Sequence, residues 1–318
     1  QLLPEFAQTS AKLFVGSKAR QGSRRVIWKE LKKYISDVQP DIIHTHLLSG
    51  DFAGYLAKKA FPKIKWISTQ HNVEHKRPYI YRMIWKYILR KTDRVIAVSP
   101  AVERYAKQAF NIHSEKITMI PNGIDLSHWK NLNTDFLFDT TPYQLASIGR
   151  LEEQKGHTYI IDALGKLKKH RWEYHIFGDG SFQQKLLLQA KKLHIADRIN
   201  FHGNVDDLPK RLEKIDLVIQ PSLWEGMSLT VMEAMAAGRP VLATNVAAEC
   251  LIEDEHTGYV VPSKDVGALQ QAIANILSNI DVAKRVAKQG RKHAFLQFGI
   301  EKHIRVVKDV YMEATSKL

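Results

Sequence analysis

Short apolar runs that end in polar residues or glycine alternate with longer amphipathic stretches from residue 41 to residue 261. Runs this short and this apolar predict strands buried on both faces, as in parallel sheets whose crossovers are helices. In the first half, strands are expected at Asp41–Thr45, Lys65–Thr69, Arg94–Val98 and Lys116–Ile120, with helices at Gly50–Ala60, Pro78–Lys91 and Pro100–Phe110. In the second half, strands are expected at Gln144–Ile148, Glu173–Phe177, Arg198–Phe201, Asp216–Gln220, Pro240–Ala243 and Tyr259–Val261. Helices belong near His157–Lys168, Phe182–Leu193, Asp207–Lys214, Leu229–Ala237, Ala247–Glu253 and Val266–Ser278, and two more, near Ile280–Leu296 and Ile300–Ala314, close the chain. The expected fold is α/β, with two doubly wound, Rossmann-like domains. Leu126–Thr141 breaks the rhythm with Asn, Asp and Thr, and reads as the link between a domain of residues 1–135 and one of residues 142–299.

Composition sharpens this in three respects. A chain of 318 residues, 44% hydrophobic and 25% charged, can bury two cores and is not disordered. Its one cysteine, Cys250, excludes an internal disulfide framework and suits a reducing, cytoplasmic compartment. Nothing approaches the ~18 unbroken apolar residues of a membrane-spanning helix, and no secretory signal opens the chain. Gln rather than Met stands first, which implies that a segment precedes this sequence.

The net charge of +14 is unevenly spread. Residues 1–140 hold 23 Lys and Arg against 12 Asp and Glu, a net of +11, and the remainder holds 24 against 21, a net of +3. A basic first half points to an anionic partner, such as the inner face of a membrane or a phosphorylated acceptor, with general solubility as the plain alternative. Nucleic acid is not expected, because the basic stretches lack the motifs of nucleic-acid readers. Within Lys76–Arg94, apolar stripes of Tyr79, Ile80, Met83, Ile84, Ile88 and Leu89 lie beside Arg82, Lys86, Arg90 and Lys91. That pattern suits either a helix in a membrane interface or one covering the sheet with snorkelling cations.

Ligands of open parallel sheets sit outside the carboxyl ends of the strands. Those ends carry His46, His71, Ser99, Asn122, Arg150, Gly178, Asn204, Ser222 and Asn245, a polar and ligand-capable set. The segment Trp224–Ala236 places Glu225, Gly226, Met227 and Ser228 ahead of a helix whose first turn holds Leu229 and Thr230. Exposed amides at such a helix start suit phosphate oxygens, Gly226 admits a close approach, and Glu233 one turn on can accept from ribose hydroxyls. A helix-dipole Glu and a solvated Glu are the competing reading. In IGRLEEQKG, Arg150 and Lys155 flank a loop that opens a helix, where cations oppose the helix dipole unless both face an anion such as a diphosphate. FGDGS lacks the third glycine of a dinucleotide fingerprint, which argues against an NAD enzyme. His71 and His75 stand at i,i+4, but no Cys or carboxylate cluster completes a zinc shell, so no metal is expected. Sugar-cleft imidazoles suit these positions better, and His44 suits a packed core histidine.

The segments PDIIHTH, DRVIAVSP, ITMIPNGID, IGRLEEQKG, FGDGS, INFHGNV and PSLWEGMSLTVMEAMAAGRPVLAT, in this order, resemble the retaining GT-B glycosyltransferases of glycosyltransferase family 4. The likeness runs from about Pro40 to the end of the chain. It implies two domains facing a cleft and transfer of a sugar from a UDP-sugar or GDP-sugar to a saccharide or lipid-linked acceptor. In that pattern Arg150 and Lys155 contact the diphosphate, Glu225 approaches the sugar, and Glu233 holds the ribose. Gly149 and the amides of Gly226, Met227, Ser228, Leu229 and Thr230 bind the phosphates and sugar, while Asn204 and Val205 border the base. His46 lies near the transferred sugar, His71 on the acceptor side, and a final helix, residues 300–318, crosses back to the first domain. Neither a cofactor nor a metal is implied, and front-face displacement is the expected mechanism. One departure stands out: the family's first strand and glycine-rich loop are not found before Pro40, since Val15-Gly16-Ser17 and Gln21-Gly22-Ser23 do not fit them. Other outcomes the same residues allow are a sugar-nucleotide epimerase and a nucleotide-binding homologue that has lost catalysis.

Overall fold

The computed structural model describes residues 24–73, 78–134, 138, 141–167 and 169–316. The first half runs α1 (Arg24–Val38), β1 (Ile42–His46), α2 (Leu47–Ala60), β2 (Lys65–Gln70), α3 (Tyr79–Leu89), β3 (Arg94–Ala97), α4 (Pro100–Phe110) and β4 (Ile117–Met119). The second runs β5 (Tyr143–Ile148), α5 (His157–Lys166), β6 (Trp172–Phe177), α6 (Gln183–Lys192), β7 (Ile199–Gly203), α7 (Leu208–Leu212) and β8 (Leu217–Gln220). It continues through α8 (Leu229–Ala236), β9 (Val241–Thr244), α9 (Asn245–Ala248), β10 (Tyr259–Val261), α10 (Val266–Ser278), α11 (Ile280–Gln297) and α12 (Ile300–Thr315).

Two parallel sheets result, ordered β1-β2-β3-β4 and β10-β9-β8-β5-β6-β7. Each expected strand is present within two residues of its expected bounds, because strands buried on both faces have to be apolar nearly throughout. β8 and β9, at or beside the centre of the larger sheet, are buried at every position.

The helices differ from expectation in several places: α2 begins at Leu47 rather than Gly50, and α3 and α5 end at Leu89 and Lys166 rather than Lys91 and Lys168. The helix expected over Ala247–Glu253 is a single turn, α9, because Glu249 leaves helical geometry and Cys250 adopts a left-handed backbone, φ 59°. α7 stops at Leu212 rather than Lys214. No helix was expected before residue 41, yet α1 is there, its Trp28, Leu31 and Ile35 packing on Ala57 and Ile64 at helical spacing. Val15-Gly16-Ser17, Gln21-Gly22-Ser23 and His75 lie outside the described residues.

One core crosses the two halves. Val73, Ala97, Val98, Val102 and Ile124 join Met227, Met232, Ala294 and Phe298 in a single apolar cluster. After α11 the chain returns to the first sheet: Ile124 N donates to Phe298 O (2.8 Å), Ile300 N donates to Ile124 O (3.0 Å), and Val310 and Ala314 of α12 pack on Ile67, Ile96 and Ile120. Glu249 braces the same junction, accepting from Ala101 N at the start of α4 (3.0 Å) and pairing with Arg104. Buried Arg239 ties the link to the second half by donating to the carbonyls of Asn133 (2.7 Å), Glu213 and Ile215 (3.3 Å each). Burial lowers its pKa to about 10, and these carbonyls supply the compensation that a buried cation requires.

The wall behind β1 and β2 rests on Asp51, which is fully buried. Thr45 Oγ1 (2.8 Å) and Ser68 Oγ (2.5 Å) donate to Oδ1, and Gln70 Nε2 (3.0 Å) and Trp85 Nε1 (2.9 Å) donate to Oδ2. Both oxygens are acceptors, so an amide there would set its own N–H groups against donors. Asp51→Asn is expected to destabilise the protein by about 2 kcal/mol, the cost of buried donors left without an acceptor. Thermal unfolding checks this, and an unchanged melting temperature would show that the network contributes nothing.

Candidate functional site

Local sequence builds the site at the carboxyl ends of β5, β6, β7 and β8. Gly149 N donates to Phe177 O (2.9 Å), and Gly178 N donates to Gly203 O (2.7 Å), so the ends of β5, β6 and β7 stand side by side. Gly149 has φ 140°, and the Lys155 stem passes 3.0–3.2 Å from where a Cβ would sit. A glycine is therefore needed both for the backbone and for the lysine to lie across it. Lys155 closes the one-turn segment Glu153–Lys155 before α5, and its stem leads the ammonium inward over the strand ends.

There Lys155 Nζ meets Glu225 Oε1 at 2.7 Å. The pair is well covered, with the Lys155 side chain 15% and the Glu225 side chain 8% exposed. Ser222 Oγ donates to the same oxygen (2.8 Å). Turned to satisfy its neighbours, the Gln220 amide accepts from Lys155 Nζ (3.3 Å) and donates to Ile148 O (3.1 Å), with Ser222 Oγ 2.9 Å from its oxygen. β8 thus delivers Gln220 and Ser222 as supports, neither of which was assigned that part from sequence.

Glu233 faces the same lysine from α8. Burial raises its pKa to about 7, and the Lys155 charge opposes the rise. Among the described residues, no hydrogen bond or ion pair holds its carboxylate. α8 begins at Leu229 after Ser228, which is buried but makes no side-chain cap; Ser228 Oγ is instead shared with Thr230 Oγ1 (3.0 Å). The first amides of α8 accordingly keep their donors free of a side-chain cap, the arrangement that suits an anion. His157, buried just past Gly156, is kept neutral with a pKa of about 4 by burial and then by Lys155.

Other expected residues fall into different roles. Arg150 is exposed at the rim, so the two cations of IGRLEEQKG are not equivalent: Lys155 is buried in the ion pair and Arg150 faces solvent. Asn204 is exposed and Val205 packs against the shared core. A cavity of 990 Å³ opens beside them at Asp206 and runs along the sheet past His202 and Phe177 to Gln144. Gly226 was read as room for a ligand, but the direction its side chain would take is filled by protein. A methyl there would overlap the His71 carbonyl, with Asn72 Cα at 3.0 Å. Met227 likewise turns toward the first half, and its sulfur accepts from Asn122 N (3.1 Å). The loop of Glu225 and Gly226 is therefore in contact with the loop of His71, which brings His71 close to the Glu225 segment.

On that opposite wall, His46 Nδ1 and His71 Nε2 share a hydrogen bond of 2.8 Å, and their rings stack with centroids 5.1 Å apart. His44 is satisfied as a packed histidine should be, between Tyr311 OH (2.6 Å) and Thr69 Oγ1 (2.7 Å). Burial first, then the neighbouring imidazoles, hold the pKa of both His44 and His71 at about 4. His303 of α12 is one of those neighbours and sets its Nδ1 against Pro121 O (2.7 Å). No sequence spacing links His303 to His71, so the residue was missed. A cavity of 370 Å³ adjoins Glu225 and is lined also by Val73, Tyr105, Trp224, Asn245 and Glu249. Among the described residues, no group of three His, Cys, Asp or Glu side chains is placed to hold a metal ion.

Comparisons with known proteins bear on the family and the fold. The model of the family Glycosyl transferases group 1 matches residues 130–293, and that of Glycosyltransferase Family 4 matches residues 6–128. Over 302 residues the chain is 24% identical to UDP-Gal:alpha-D-GlcNAc-diphosphoundecaprenol alpha-1,3-galactosyltransferase of Escherichia coli, covering 89% of this chain and 78% of that protein. It is 28% identical over 292 residues to glycogen synthase of Mycobacterium tuberculosis, covering 87% and 69%. Among solved structures, a glycosyltransferase from Rickettsia africae matches with a TM-score of 0.80 at 24% identity, over 96% of this chain and 84% of that one. Anabaena HepE in complex with UDP-glucose matches with a TM-score of 0.81 at 19% identity, over 90% and 82%.

Proposed function

Since this chain belongs to the group 1 glycosyl transferases and has the GT-B fold, we propose that it moves a hexosyl unit from a nucleoside-diphosphate sugar to an acceptor hydroxyl, with retention of configuration, in glycan or glycolipid synthesis. The observation that carries this reading is the covered Lys155–Glu225 pair ahead of α8, with Glu233, unpaired among the described residues, facing the same lysine. Residues 142–299 form the donor domain, residues 1–135 the acceptor domain, and the last helix braces them. The donor names attached to relatives, UDP-Gal in the E. coli enzyme and UDP-glucose in the HepE complex, favour UDP over GDP.

In this reading the diphosphate lies over the first amides of α8, against Lys155 and within reach of Arg150. As the bond from C1 to the diphosphate breaks, the acceptor oxygen bonds to C1 on the same face. A phosphate oxygen of the leaving group takes the acceptor proton. Negative charge grows on the departing diphosphate, and Lys155, Arg150 and the helix amides stabilise it without need of a metal. Glu225 turns toward the sugar hydroxyls, Glu233 accepts from the ribose, and Asn204 and Val205 border the base. His46 and His71, neutral at pH 7, offer the acceptor hydrogen bonds without competing for its diphosphate neighbour.

Incubation with UDP-hexoses and a panel of saccharide and lipid-linked acceptors tests the proposal. Release of UDP together with a product whose anomeric proton shows the donor's configuration is the expected result. Inverted product would refute retention, and conversion of the donor without any acceptor would point to an epimerase instead.

A further inference from the structure

α3 is apolar on two faces, and among the described residues only one of them is packed against a core. Trp85 and Leu89 pack inward on Val95, Ala106 and Phe110, which is the sheet-covering role expected of it. The outer face carries Ile80, Met83, Ile84 and Tyr87, at the i, i+3, i+4, i+7 spacing of a single helical stripe, and they are 62%, 44%, 48% and 56% exposed. A helix apolar all round belongs with a partner on each side. α2 extends the stripe: the Tyr55 ring meets Tyr87 edge-on at 5.9 Å, and exposed Phe52 lies one turn before Tyr55.

The chemistry flanking this stripe identifies what covers it. Between Pro78 and Thr92 there is no acidic residue, while Arg82, Lys86, Arg90 and Lys91 are all present. We propose that the outer face of α3, with Phe52 and Tyr55, seats the protein on an anionic lipid bilayer, the apolar side chains entering the interface and the cations meeting headgroup phosphates. Arg82 belongs to the covered side, with its Nε buried, and Lys86, Arg90 and Lys91 remain at the edges of the stripe; tyrosines and isoleucines on one face with lysine and arginine at its edges are the composition of an in-plane interfacial helix. Eleven residues are far too short to cross a bilayer, and no helix among the described residues could cross one. A second copy of the chain fits the stripe poorly. A two-fold contact would bring Lys86, Arg90 and Lys91 of each copy together with no acid in the segment to balance them. α3 also starts just past the cleft loop of His71, so the membrane seat lies beside the acceptor wall. The docking claim stands apart from the transfer reaction; only its corollary, a lipid-linked acceptor, rests on the proposed function.

Sedimentation with vesicles of phosphatidylcholine containing phosphatidylglycerol, against vesicles of phosphatidylcholine alone, tests the seat. Wild-type protein is expected to bind the anionic vesicles and to be released by salt. I80Q together with I84Q should weaken partitioning more than about tenfold, and K86Q with R90Q by about fivefold per charge removed. Since Ile80, Ile84 and Arg90 are exposed and Lys86 is half-exposed, UDP-induced thermal stabilisation should be unchanged in both variants; this control also separates failure of the seat from failure of the donor site. If the wild type ignores anionic vesicles, or both variants bind like the wild type, the proposal is overturned. A wild-type dimer that the I80Q/I84Q change makes monomeric would also overturn it and make the stripe a self-interface.

Discussion

Lys155→Ala is expected to lower kcat by about 100- to 1000-fold, the usual loss when one donor aimed at a developing oxyanion is removed. The size follows from position. Nζ is held inside the site by Glu225 and Gln220, its stem lies over Gly149, and little of it reaches solvent. An ammonium fixed in this way needs no reorganisation as charge builds on the diphosphate, and its field is weakly screened. Folding suffers less, because Ser222 still donates to Glu225 after the lysine is gone. The measurement is kcat beside the melting temperature of the same preparation. Lys155→Ala with wild-type turnover and an intact melting curve would remove the diphosphate from this position. Arg150→Ala should cost less, because its guanidinium is exposed at the rim and bulk water screens an exposed charge.

What could be seen in the sequence followed from periodicity and local order. Strands buried on both faces must be apolar runs, so all ten were visible, and helix starts such as Leu229 followed from the residues before them. α1 was equally periodic, with Trp28, Leu31 and Ile35 on one face, and was passed over because no strand precedes it to set the βα rhythm. Two clusters of candidate site residues were legible because Arg150 to Gly156 and Trp224 to Glu233 each lie within one loop and one helix start. What joined them was not: Glu225 is 70 positions from Lys155, and only the closing of β5 onto β8 makes them partners. The same limit hid His303 and Asp51. A lone aspartate early in a helix looks solvated until Thr45, Ser68, Gln70 and Trp85 converge on it. Gly226 shows a subtler failure. Its need for space was recognised, but the occupant of that space is the His71 carbonyl, which contacts across halves alone reveal.

Glu233→Gln should make the free protein more stable at alkaline pH while weakening its hold on UDP. Burial raises the Glu233 pKa from 4.5 to about 7 in the folded state. A carboxyl whose folded pKa lies above its unfolded value binds its proton more tightly when folded. Its contribution to stability is therefore complete below about pH 4.5 and is lost as pH rises through about 7. By pH 8 the cost of holding the ionised group in this site approaches about 3 kcal/mol. Glutamine fills the same volume and never ionises, so the variant should match the wild type at pH 4 and melt at a higher temperature at pH 8. The proposed ribose contact explains why a costly glutamate would be kept. A carboxylate accepts from two hydroxyls at once, and hydrogen bonds to a charged group are worth about 1.5–3 kcal/mol, or roughly tenfold or more in affinity. Wild-type UDP affinity should accordingly fall as pH drops below about 7, and the Glu233→Gln variant should bind more weakly with no such inflection. Melting curves at pH 4 and 8, with UDP titrations between pH 5.5 and 8.5, separate the two halves of the argument. Equal stability of variant and wild type at pH 8 would show that burial does not strain the carboxyl. A stabilised variant that binds UDP as tightly as the wild type would instead take the ribose away from Glu233.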